Sequence, residues 1–166
     1  TTAQELPMLP NKKKSPRLQI LDTGLLNYFA GIQQDIIKTE DLNSIYKGTM
    51  IEHLVGQEIL SSQYNALSSL HFWVRDKNSS SAEIDFLFPY RNKLIPIEVK
   101  SGKEGTLKSL HLFMDDAPLN IAIRLYSGSF GISEIETKRG KKFKLINLPY
   151  FLTSQVEKYI KFAENY

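Results

Sequence analysis

At 166 residues and 19.0 kDa the chain has the size of one domain, and 42% hydrophobic residues suffice for a real core. It has no cysteine, which excludes disulfide scaffolds, cysteine-ligated zinc, iron–sulfur clusters and cysteine nucleophiles. A net charge of +3, from 21 basic and 18 acidic residues, is too small to establish polyanion binding, although a local patch can still act. No run approaches the roughly 18 apolar residues that a membrane-spanning helix needs, so a cytoplasmic protein without a membrane partner is expected. Thr1-Thr2-Ala3-Gln4 shows neither an initiator Met nor a signal-peptide pattern, which reads as a fragment of something longer.

Residues 1–16 hold three of the seven prolines and Lys12-Lys13-Lys14, and read as a linker or lead-in to a single domain over residues 17–166. Arg17–Leu21 reads as a short strand. Asp22 is placed to cap a helix running through Leu25, Leu26, Tyr28 and Phe29 to Gly31. Thr49-x-x-Glu52 has the pattern of a capping box. The helix it opens places Ile51, Leu54, Val55 and Ile59 toward the core and ends near Ser61, with Gly56 allowing close packing.

From Leu70 the period changes to two, because Leu70, Phe72 and Val74 alternate with His71, Trp73 and Arg75. Asp76–Ser81 reads as a turn. Two strands follow, Glu83–Phe88 and Leu94–Lys100, joined as a hairpin by a polar turn around Pro89-Tyr90-Arg91-Asn92. Thr106 is placed to cap a helix carrying Leu107, Leu110, Phe113 and Met114, which Pro118 closes before a strand over Ile121–Tyr126. A loop with Gly128 and Gly131 leads to basic Lys138–Lys142, a strand Phe143–Leu148, and an amphipathic helix Phe151–Phe162. A mixed sheet flanked by helices, with a helical lead-in, makes this an α/β domain.

The chemistry concentrates at Asp85, Glu98 and Lys100. Side chains two apart on a strand share a face, so Glu98 and Lys100 project together while Ile95, Ile97 and Val99 take the other side. An even-numbered hairpin turn sets Asp85 opposite Pro96 or Glu98, and either register brings its carboxylate to the charged face. Two facing carboxylates repel unless a proton or cation lies between them. Mg²⁺, or Mn²⁺, with oxygen ligands at about 2.1 Å, relieves that repulsion. An ammonium at Lys100 can orient an attacking water and offset charge gathering on a phosphate, so phosphodiester cleavage fits.

Ile84-Asp85 followed by Glu98-Val99-Lys100 resembles the PD-(D/E)XK signature of restriction-endonuclease-like nucleases, with Ile84 where the signature has Pro. That resemblance implies a restriction-endonuclease-like core, a metal held by Asp85, Glu98 and the Val99 carbonyl, and help from Glu52 on the preceding helix, with Glu58 as second choice. A narrower likeness runs through Leu21–Leu26, Gly48–Glu52, Phe72-Trp73, Glu83–Phe86 and Ile95–Gly102. These blocks resemble the domain of unknown function carboxy-terminal to the ATP-binding domain in prokaryotic AAA-type ATPases. It implies a covalently linked ATPase domain on the amino-terminal side, whereas this chain has no Gly-x-x-x-x-Gly-Lys-Ser/Thr loop and so no expected ATP site.

Simpler readings stand beside these. Glu98 and Lys100 can be an exposed ion pair worth about 0–1 kcal/mol, and a capping box alone explains Glu52. His53, His71 and His111 show no ligand spacing and are left out of the site. Trp73, Phe72, Phe113 and Phe151 read as core. Lys138, Arg139, Lys141, Lys142 and Lys144 form a basic run open to contact with a nucleic-acid backbone. The functional expectation is a Mg²⁺-dependent nuclease-like domain acting on nucleic acid, DNA first. The alternative is a catalytically inactive module of the same fold that binds nucleic acid or protein for the ATPase.

Overall fold

The computed structural model describes residues 1, 3–13, 15–40, 45, 48–63, 68–75, 82–102 and 106–166. Lys14 and the turn expected at Asp76–Ser81 lie outside them.

A five-stranded mixed sheet carries the fold, in the order β3-β4-β5-β7-β6. Its strands are β3 Phe86–Tyr90, β4 Lys93–Val99, β5 Ile121–Tyr126, β6 Gly131–Glu136 and β7 Lys142–Pro149. β3 and β4 form an antiparallel hairpin, β4, β5 and β7 run parallel, and β6 returns antiparallel along β7. Separately, β1 Trp73–Val74 pairs with β2 Glu83–Ile84. The helices are α1 Thr23–Phe29, α2 Gln33–Lys38, α3 Thr49–Ser61, α4 Lys108–Asp116 and α5 Val156–Asn165, the last entered through a 3₁₀ turn at Tyr150–Gln155.

The sheet is apolar on both faces, as parallel strands between helices must be. On one face Ile95, Ile97 and Val99 of β4 join Phe86 and Phe88 of β3, and Ile51, Val55 and Ile59 of α3 pack on them with Val156 and Ile160 of α5. On the other, Leu87, Leu94, Ala122 and Leu145 meet Leu110, Phe113 and Met114 of α4. Phe113 is fully buried, its ring edge-on to Trp73 at 5.2 Å. The alternation expected for β4, with Ile95, Ile97 and Val99 turned from Glu98 and Lys100, is the one observed.

Several local readings are corrected. Arg17–Leu21 is extended but pairs with nothing in a sheet, and of the run from Leu70 to Val74 only Trp73–Val74 forms a strand. The strand expected over Glu83–Phe88 breaks at Asp85: its first part pairs with β1 and its second with β4. β3 runs on through Tyr90, which leaves a two-residue turn, Arg91-Asn92, with Arg91 at φ 52°. Left-handed backbone at this position matches the twist of a tight hairpin. Gly48, not Thr49, occupies the N-cap of α3, and no side chain caps that end. Leu107 replaces Thr106 at the N-cap of α4. β6 forms where a loop was expected, α2 was not foreseen, and Phe151 is 81% exposed rather than core.

Other expectations hold. The Asp22 carboxylate accepts from the Leu25 amide at 2.6 Å, and α4 stops at Asp116, before Pro118. At Gly56 an added Cβ would come within 2.6 Å of the Gln19 side chain, so only glycine lets this segment lie on α3. Residues read as a lead-in touch the domain: the Thr1 amino group donates to the Phe72 carbonyl at 2.8 Å. Among the described residues no helix is long and apolar enough to cross a membrane.

Candidate active site

The break at Asp85 and the end of β4 build the site. Phe86 stands opposite Ile97, so one step beyond the ladder Asp85 stands at the place opposite Glu98. The Asp85 carboxylate then turns along the strand end, and its Oδ2 accepts the Val99 amide at 2.8 Å. That bond replaces a ladder bond and fixes the carboxylate. Glu98 is 6% exposed, and its Oε1 accepts from Lys100 Nζ at 2.5 Å. The other oxygen, Oε2, is buried without a hydrogen-bond partner.

An orphaned carboxylate oxygen is costly, and the titration of the pair reflects it. Burial, then the charge of Asp85, pushes the Glu98 carboxyl up to about 7, against the pull of Lys100. Burial also raises Asp85, although the Val99 amide holds it down, and Glu52 raises it further. Glu52 therefore acts on both acids, although its helix packs on the opposite face of the sheet. It reaches them around the strand end, where Glu52 and Asp85 share the wall of a cavity of about 830 Å³. Glu98 and Lys100 are not part of that wall. Glu58 is not among the leading causes of either acid's shift.

Among the described residues no group of three or more His, Asp or Glu side chains is arranged to hold a metal ion. Two carboxylates are nonetheless what Mg²⁺ usually takes from a protein, with waters completing its shell. The unpartnered Glu98 Oε2 beside Asp85 fits such an ion. Val99 contributes its amide, in the bond to Asp85.

The basic run sits elsewhere, at the β6–β7 hairpin, and four of its five members have partners within the chain. Arg139 pairs with Asp116 at 2.8 Å, Lys141 bonds the Ala117 carbonyl, Lys142 lies 3.8 Å from Glu134, and Lys144 donates to the Ala163 carbonyl at 2.9 Å. Lys138 lines a second cavity of about 440 Å³ with His111. Of the histidines, His53 accepts from the Ile20 amide at 3.4 Å and His111 lies edge-on to Phe143.

Residues 47–151 match the family model described as Domain of unknown function (DUF4143). The chain belongs to this family. No curated protein and no solved structure matches it. The part of the chain that makes it a DUF4143 member holds Glu52, Asp85, Glu98 and Lys100 together.

Sequence reasoning missed two neighbours of this site. Arg17 lies over the Phe72 ring at 4.5 Å, pairs with Glu83 and reaches the Asp85 carbonyl at 3.5 Å, so it braces the break between β2 and β3. Arg124 faces Glu98 across β4 and β5. The available signal was an arginine inside Ile121-Ala122-Ile123-Arg124-Leu125, because a central parallel strand is otherwise continuously apolar.

Proposed function

We propose that this chain is a divalent-metal-dependent nuclease-like domain that hydrolyses nucleic-acid phosphodiesters, DNA foremost. The observation that carries this reading is the carboxylate pair of half-buried Asp85 and buried Glu98, in which Glu98 keeps an unpartnered oxygen and has an ammonium 2.5 Å from its other oxygen. The likeness of Ile84-Asp85 and Glu98-Val99-Lys100 to the PD-(D/E)XK signature supports it.

Asp85 and Glu98 hold the ion, with Glu52 adding negative potential from the rim. When bound, Mg²⁺ supplies Lewis-acid stabilisation of the phosphoryl oxygens and eases deprotonation of water. The Val99 amide keeps the Asp85 carboxylate from swinging away. Lys100, held against Glu98, donates to the attacking water and places positive charge where the phosphorane-like transition state gathers negative charge. In the full-length protein an amino-terminal ATP-binding domain is proposed to govern this activity in the cytoplasm, a reading supported by the resemblance to the domain carboxy-terminal to the ATP-binding domain in prokaryotic AAA-type ATPases.

The rival reading is a binding module without turnover, favoured by the absence of a ready three-residue metal group among the described residues. Cleavage of labelled DNA with Mg²⁺ or Mn²⁺, run on wild type and Lys100→Ala, separates them. Metal-dependent cutting that falls on the order of 10²–10³-fold in Lys100→Ala supports the enzyme. Binding without cutting in both proteins leaves the module.

A further inference from the structure

The site continues across the sheet as a polar row. On β4, β5 and β7 the register sets Glu98 opposite Arg124 and Arg124 opposite Asn147. Residues opposite one another on adjacent strands project to the same face, so all three lie on the face that α4 covers at the row below, through Ala122 and Leu145. Each of the three carries a buried side-chain atom with no hydrogen-bond partner: Glu98 Oε2, Arg124 Nε and Asn147 Oδ1. Native interiors leave few such atoms, and three in consecutive register positions call for a common cause.

Mutual satisfaction is not that cause. Among the described residues no ion pair joins Arg124 to Glu98, whose cation is Lys100. The guanidinium of Arg124 instead lies 4.4 Å from the Tyr126 ring, which belongs to the next row toward the strand ends. The row therefore lies near the carboxyl ends of three parallel strands, the end of an open α/β sheet where ligands are commonly received. A planar cation stacked on an aromatic ring keeps its fork pre-organised for a phosphate, a task for which lysine is a poor substitute.

We propose that Arg124, with Asn147 beside it, anchors the phosphate of a nucleic-acid strand adjacent to the one at Asp85 and Glu98. This deepens the nuclease reading and rests on it for the identity of the strand. One strand spacing, about 4.8 Å, separates the Arg124 backbone from that of Glu98, and the long side chain covers the remaining reach to a neighbouring phosphate. Arg124 is thus a substrate-binding residue, and the β6–β7 basic hairpin is not needed for the contact.

The test is fluorescence anisotropy of a labelled DNA duplex in Ca²⁺, across a salt series, with wild type, Arg124→Gln, Arg124→Lys and, as a control at an exposed position of α5, Lys158→Gln. Arg124→Gln is expected to weaken binding at least tenfold and to reduce the slope of log affinity against log salt by about 0.9, one phosphate's worth of counterion release. Arg124→Lys keeps the slope with lower affinity, and Lys158→Gln matches wild type. Equal affinity and slope in Arg124→Gln overturn the proposal. If Arg124→Gln fails to fold by circular dichroism, phenylglyoxal modification of wild type decides: protection of Arg124 by the duplex supports the anchor, and unchanged modification sinks it. Metal-dependent cleavage by wild type is measured in parallel. Binding that depends on Arg124 without cutting overturns catalysis and leaves the anchor standing, cutting that ignores Arg124 does the reverse, and no binding at all removes both.

Discussion

The Tyr150 hydroxyl donates to the Lys100 carbonyl, so the exit from β7 is tied to the end of β4 two residues after Glu98. Burial pushes the Tyr150 hydroxyl up to about 12, so it remains a donor at every working pH. Tyr150→Phe removes the tie. It is expected to cost about 1 kcal/mol, seen as a fall in Tm of about 2–4 °C for a domain of this size. An unchanged melting curve contradicts this.

Glu98 makes stability depend on pH in the direction opposite to an ordinary ion-paired carboxylate. Its carboxyl titrates at about 7 in the fold against 4.5 as a free group. The folded state therefore binds more protons between those values, and its contribution is fully present below the lower value and lost as pH rises through the higher. At about 1.4 kcal/mol per unit the loss is at most about 3 kcal/mol. Urea unfolding at pH 5 and pH 8 should show the wild type weaker at pH 8, with Asp85 acting in the same sense. Glu98→Gln should flatten the difference.

Under the proposed metal-dependent function, metal affinity is expected to follow the opposite trend, because the ion needs both carboxylates ionised. A group titrating at about 7 is mostly protonated at pH 6 and mostly ionised at pH 8. Calorimetric titration with Mn²⁺ should show binding about tenfold tighter at pH 8, with proton uptake by the buffer near pH 7. Asp85→Asn and Glu98→Gln should abolish the heat, and a pH-independent affinity in wild type would count against the pair as ligands.

Gly48 starts α3 at φ 52° and ψ −121°, a conformation closed to residues with a Cβ. Gly48→Ala is expected to cost about 1–3 kcal/mol, read as a lower denaturant midpoint, although nothing lies within 4 Å of the added carbon. Because α3 carries Glu52, any metal affinity should weaken with it.

Where local chemistry alone decides, the sequence was readable. Asp22 had an oxygen to offer the amides after it, Pro118 stops a helix on its own, and Ile121–Tyr126 is apolar enough to be a central strand in any context. The alternation of Ile95, Ile97 and Val99 against Glu98 and Lys100 likewise placed the acid and the amine on one face. What failed needed a partner. Arg17–Leu21 alternates as a strand does but has no neighbour in a sheet, and Leu70–Phe72 makes only isolated backbone bonds, such as that from the Leu87 amide to the His71 carbonyl at 2.7 Å, and no ladder. β6 was missed because an edge strand with no fully buried residue carries little pattern. Arg124 and Asn147 join the row only through the strand order β4-β5-β7, which no spacing along the chain reveals.

The Arg91-Asn92 turn sets more than the shape of a hairpin tip. Because its two residues fix β3 against β4, lengthening it is harmless only if the added residues bulge outward. A slide of one position would carry Asp85 to the greasy side of the sheet and bring Phe86 up beside Lys100, exchanging a cation-hungry surface for a hydrocarbon one. Anyone grafting a tag or a sensor peptide at this tip is therefore operating a parity lock on chemistry some seven residues away.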